Sequence, residues 1–178
     1  MHTFTAIIKP KFILLGSDFM KFDSEKLKLY RQIASDEKIF TAYGEFLKMF
    51  SEIYKKLSLD MPDFKFSAYS AENAMEYSYF QFADKEMKNK KLKYVIYLPH
   101  DSFAVHLMVC GQNKGVMRQY LSKNFALPEG AVKGREDKGD MHIFEFVLES
   151  DITDGDADKA VQEIKSAAEK AGEVIKNF

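Results

Sequence analysis

The stretch "KKLKYVIYLPHDSFAVHLMVCGQNK", Lys90–Lys114, decides the fold. A charged run passes into an apolar-rich segment, Lys91–Leu98, and then into Pro99-His100-Asp101-Ser102. A second apolar segment, Phe103–Cys110, follows. Two β-prone runs joined by a short cluster of turn formers predict an antiparallel hairpin. Asp and Ser at such a bend bond to their own backbone, so the turn accounts for Asp101 and Ser102 without invoking chemistry. Side chains alternate across a strand. Val105, Leu107 and Val109 therefore share one face, and His106, Met108 and Cys110 share the other.

The neighbouring segments extend this hairpin into a sheet. "MEYSYFQFA", Met75–Ala83, is rich in Tyr and Phe and predicts a strand, and "FKFSAYS", Phe64–Ser70, predicts another. Upstream, Asp23 or Ser24 caps a helix from Glu25 to about Ala34. Ser35-Asp36 opens a second helix, Glu37–Leu57, whose apolar residues recur every 3.6 positions and suit docking on a sheet. Downstream, Asn113 caps a helix from Lys114 to about Asn124. The glycine- and charge-rich stretch Leu127–Asp140 reads as an exposed, mobile loop. Met141–Ser150 predicts a strand, and Asp154 or Asp156 caps a last helix with an alanine-rich stripe. The order α-α-β-β-β-β-α-β-α predicts an α+β fold, with helices on one face of a mainly antiparallel sheet of about five strands. Residues 1–22 read as an N-terminal extension or strand pair, Phe4–Ile8 with Phe12–Leu15, and residues 23–178 as a single domain.

Bulk properties narrow the function classes. A chain of 178 residues buries roughly 70% of its unfolded surface and needs no disulfide or metal to hold it together. Its single cysteine precludes an internal disulfide framework and makes a reducing cytoplasm the simplest location. The formal charge of -1 provides no global field for nucleic acid or anionic lipid. No run of about 18 apolar residues exists, so no membrane span is expected. Walker loops, dinucleotide fingerprints and nucleophile elbows are absent, and no cofactor is expected.

Three segments carry a resemblance: "YRQIASDEKIFTAYGEFLKMF", "MEYSYFQF" and "KKLKYVIYLPHDSFAVHLMVCGQNKGVMRQYL". The last joins a Lys-Leu-Lys strand, a histidine after it, then Gly-x-Asn-Lys and a helix. From about Leu29 to Leu121 the chain resembles a domain-of-unknown-function family of small bacterial proteins. The resemblance implies a bacterial-type cytoplasmic protein with this α+β order, and no activity.

Candidate chemistry centres on His100 and His106 as catalytic residues, with His142 or Cys110 nearby. Residues adjacent on a strand end point apart, so His100, Asp101 and Ser102 do not assemble a triad by themselves. His106, His142 and Cys110 lack metal-ligand spacing. Tyr77, Tyr79, Tyr94 and Tyr97, with Asn113, are candidate binding residues for an aromatic-lined groove between sheet and helices, with Leu127–Asp140 as its lid. The run Lys85–Lys93 reads as a solvated turn rather than a phosphate grip. These features favour a non-enzymatic module binding a small molecule or protein, in a chain that could form a homodimer. A small enzyme centred on His100 ranks second and a nucleic-acid-associated protein third. Whether the protein is an enzyme is not decided by these residues.

Overall fold

The structure is a computed structural model that describes residues 23–67, 71–73 and 76–178. The N-terminal strand pair expected within residues 1–22 lies outside the described residues. The chain divides into two units between Thr41 and Ala42, and the described part of the first is residues 23–41. In the first, α1 (Ser24–Ser35) begins at Asp23, whose carboxylate accepts the amides of Glu25 and Lys26. Helix α2 (Glu37–Asp60) starts there and continues into the second unit, where Phe50, Ile53 and Leu57 are its buried residues.

The second unit is built on an antiparallel sheet. Its strands are β1 (Lys65–Phe66), β2 (Ala71–Asn73), β3 (Tyr77–Ala83), β4 (Leu92–Pro99), β5 (Ala104–Gly111), β6 (Ala131–Lys133) and β7 (Phe144–Asp151). The order across the sheet is β1-β3-β4-β5-β7-β6, and β2 also pairs with β3. Because β1 and β2 share one flank of β3, seven strands span six positions. The expected hairpin forms in register, with Ile96 opposite Leu107 and Tyr97 opposite His106. At its bend the Phe103 amide donates to the Pro99 carbonyl at 3.0 Å. Phe103 itself has φ +52°, a left-handed conformation that is costly for a residue with a Cβ. Its ring packs 5.5 Å from Phe46 of α2, which fixes the bend against the core.

Alternation along the strands divides the unit into two faces. Phe80 and Phe82, Tyr94 and Ile96, Leu107 and Val109, and Phe144 and Phe146 join the buried residues of α2 and of α3 (Lys85–Asn89), α4 (Lys114–Leu121) and α5 (Ala157–Lys176) in one core. Alanines 160, 167, 168 and 171 let α5 approach closely. The hydroxyl of Tyr94 crosses this layer to donate to the Ala168 carbonyl at 3.0 Å. The helices thus cover one face. On the opposite face the described residues Tyr77, Tyr79, Tyr97, His106, Met108 and Val147 lie outside the core cluster, while Ala83 and Cys110 at its end are buried. Among the described residues no helix is long and apolar enough to cross a membrane.

Several local expectations are corrected. Lys85–Asn89 is a short helix, not a turn: Asp84 caps it through the Met87 amide, and Met87 is buried. Five residues with one apolar anchor carry too little periodicity to be read. The lysines after it are structural. Lys90 Nζ reaches the Ile175 and Lys176 carbonyls at 2.6 and 3.0 Å, opposing the negative end of α5. Lys93 donates to Gln81 Oε1 at 2.8 Å. Leu127–Asp140 is not a free loop. It contains edge strand β6 on β7, and Arg118 pairs with Glu136. The last strand starts at Phe144, so His142 precedes it rather than lying on it.

The two faces should respond differently to truncation. Leu107→Ala, at a fully buried position, is expected to cost about 2–5 kcal/mol. Val147→Ala, on the opposite face at 52% exposure, should cost no more than about 0.5 kcal/mol. Urea unfolding midpoints of the two variants check this, and similar losses at both sites would contradict one-sided packing.

Candidate functional site

The register of the sheet lays out the uncovered face. One row across it runs Tyr79, Tyr97, His106, Val147, and the next runs Gln81, Val95, Met108, Glu145, Val132. The Tyr77 ring lies 5.2 Å from Tyr97 and 6.1 Å from Tyr79. Tyr97 in turn meets His106 edge-on at 5.7 Å. Four rings on three neighbouring strands therefore form one continuous aromatic surface. The three tyrosine rings are half-buried. Their hydroxyls make no hydrogen bond within the described residues, yet they are not sealed from solvent. Partial burial and neighbouring negative charge raise the pKa values of Tyr77 and Tyr97, so both remain protonated donors at neutral pH.

Beside these rings sits a carboxylate held from both sides. Glu145 Oε2 lies 3.0 Å from His106 Nδ1, and Oε1 lies 3.7 Å from His142 Nε2. The first distance is a hydrogen bond and the second an electrostatic approach. The bond from His106 lowers the Glu145 pKa, overcoming the desolvation that would raise it, and His142 lowers it further. Glu145 is therefore ionised on a half-buried surface. His106 Nε2 has no partner among the described residues and is not sealed from solvent. His142 depends on a close backbone approach. A Cβ at Gly134 would come within 2.0 Å of the His142 carbonyl oxygen, so only glycine fits there. The Gly134 amide also donates to the Ile143 carbonyl, holding the two segments side by side.

The other expected site residues lie elsewhere. Tyr94 faces the helices and is buried with its hydroxyl bonded, so it is separated from the other three tyrosines by the sheet. Asn113 caps α4 through the Val116 amide. His100 also faces the helices. Its Nε2 pairs with Ser78 Oγ at 3.0 Å, and its ring lies 4.7 Å from Phe46. The sheet thus divides His100 from His106, and the two imidazoles do not share a site. Burial pushes the Cys110 thiol up to about 12, so it is protonated and not a nucleophile at neutral pH. Among the described residues, no three His, Cys, Asp or Glu side chains converge as metal ligands. Glu145 is the member that sequence reasoning missed. Its place is set by the pairing of β5 with β7, a contact between distant segments that no local pattern announces.

A concavity of about 740 Å³ lies on the helix side, lined by residues including Phe46, Met49, Phe103 and Ile152. It is shallow and largely apolar. Of its charged members Glu45, Lys48 and Glu52, the first two pair with each other at 2.6 Å. It brings no polar group to a focus, whereas the uncovered face does. Tyr77, Tyr79 and Tyr97 also lie on that face and not between sheet and helices, where the core, Tyr94 included, fills the space.

Two outcomes are expected here. Glu145 has a folded pKa below its unfolded value. The stability it contributes is therefore complete above the ordinary carboxylate range, about pH 4.3, and is lost as pH falls through the lower folded value. Glu145→Gln should reduce the acid-side slope of urea stability, and an unchanged slope would contradict the ionised pairing. Gly134→Ala should displace His142. Its imidazole Cε1–H resonance should shift while His100, on the opposite face, stays in place.

Comparison with known proteins adds a family. Residues 22–178 match the family described as Domain of unknown function (DUF7000). No curated protein and no solved structure matches the chain.

Proposed function

The chain belongs to the DUF7000 domain family, and we propose that it is a binding module whose ligand lies on the uncovered sheet face. The observation that carries this reading is the continuous surface of Tyr77, Tyr79, Tyr97 and His106, with a paired, ionised Glu145 beside it. Aromatic rings held by a sheet present contact area at low entropic cost, because the strands have already fixed them. Tyrosine combines an apolar ring with a polar tip, which suits a ligand that is flat and only partly polar. Among residues 42–178 the core-forming helices lie on the other side of the sheet, which leaves this surface available, while the helix-side groove is largely apolar with a Glu45–Lys48 pair on its rim. Burial of the lone cysteine fits residence in a reducing compartment.

The reading is tested by fragment screening with isotope-labelled protein. Planar heteroaromatic fragments should perturb the resonances of Tyr77, Tyr79, Tyr97 and His106. Tyr97→Ala, which removes the ring shared by two contacts, should weaken those hits roughly five- to tenfold, the loss of about 1–1.4 kcal/mol of stacking. Fragments that map instead to Phe46, Met49 and Phe103 would contradict the assignment and move the site to the helix side.

A further inference from the structure

We infer that the ligand of the uncovered face is a planar heteroaromatic bearing an N–H or O–H group, which it donates to His106 Nε2. The inference rests on the binding reading given above and specifies the ligand's chemistry. A neutral imidazole has one donor nitrogen and one acceptor. The carboxylate of Glu145 can only accept, and it lies 3.0 Å from Nδ1. In the neutral ring the proton therefore belongs on Nδ1, and Nε2 carries the lone pair. Nothing among the described residues uses that lone pair, and it is open to solvent.

The surroundings strengthen the choice. His142 approaches the second oxygen of Glu145 at 3.7 Å, which restrains the carboxylate in the orientation that serves His106. Glu145 is thus a positioning residue, and its effect on the ligand passes through the imidazole. The Tyr97 ring meets the imidazole edge-on at 5.7 Å. A flat ligand resting on Tyr97 brings its edge to Nε2, so stacking and the hydrogen bond act on one molecule. Tyr97 and Glu145 meet the imidazole directly; His142 and Asp140 act on Glu145, Tyr77, Glu76 and Asp101 act on Tyr97, and Lys93 lies opposite Cys110 on the same strand pair. Lys93 is engaged with Gln81. Asp140 accepts the Arg135 amide at 2.8 Å. Neither competes for Nε2. Tyr77 and Tyr97 hydroxyls can serve a ligand's acceptor atoms, so a ring with both an N–H and an acceptor fits best.

The test uses isomers that differ only in the donor. 3-Methylindole keeps its N–H, whereas 1-methylindole places the same methyl group on that nitrogen. Binding is measured by resonance perturbation at about pH 8, where imidazole is ordinarily neutral. 3-Methylindole should bind the face roughly two- to tenfold more tightly, the worth of one neutral hydrogen bond. In His106→Phe, which keeps a ring there, the ratio should fall to about one. In Glu145→Gln it should fall as well, because an amide can accept from or donate to Nδ1 and no longer fixes the tautomer. Dispersed spectra of each variant establish that it is folded. Equal binding of both isomers to the face of the unsubstituted protein would overturn the inference and leave the binding reading standing. Failure of both isomers to perturb the face would overturn the two together. A ratio retained in Glu145→Gln but lost in His106→Phe would overturn the positioning role of Glu145.

Discussion

The antiparallel pairing of β4 with β5 is the constraint on which the structure depends. Once Ile96 stands opposite Leu107 and Tyr97 opposite His106, every side chain in both strands is assigned a face. A slip of one residue would send the whole apolar set outward. The bend that fixes this register is held by the Phe103 ring against Phe46, despite the left-handed backbone at Phe103. Strain at one residue is thereby offset by packing that also closes the end of the core. The helices then complete one side, and β7 joins β5 to bring Glu145 next to His106.

The two faces use similar residue types for opposite ends. Tyr94 and Tyr97 are three positions apart on one strand. Tyr94 points into the core, where its hydroxyl is satisfied by Ala168 and its ring lies 5.1 Å from Phe82. Tyr97 points outward, with its hydroxyl open to solvent and its ring against His106. The histidines divide in the same way. His100 is bound to a buried serine among aromatic rings, a structural arrangement at the end of the core. His106 is held at one nitrogen and open at the other. Chemistry follows the face, and the face follows the parity of the residue number along the strand.

This explains what was legible in the sequence. The hairpin, the Tyr- and Phe-rich strand and the helices were readable because each repeats a period over many residues, and the cap at Asn113 has a local signature. Helix α3 and strand β6 were not, since each is too short to express a period. Their existence is settled by tertiary contacts, Met87 in the core and the pairing of Ala131 with Phe146. The alternation at His106 was readable, and so was its separation from Leu107. The partner of His106 was not, because Glu145 lies 39 positions away and meets it only through the sheet. The grouping of Tyr94 with the other tyrosines failed for the reverse reason. Residue type is shared by all four tyrosines, whereas strand parity separates Tyr94 from Tyr97.

Solvent paramagnetic relaxation across the hairpin tests the central claim most directly. A soluble relaxation agent should broaden the side-chain protons of Tyr77, Tyr97, His106 and Val147 strongly. It should leave those of Phe82, Tyr94, Ile96 and Leu107 sharp, alternating residue by residue along β4 and β5. Protection of Tyr97 and His106 equal to that of Tyr94 and Leu107 would contradict an uncovered face, and with it the site built there.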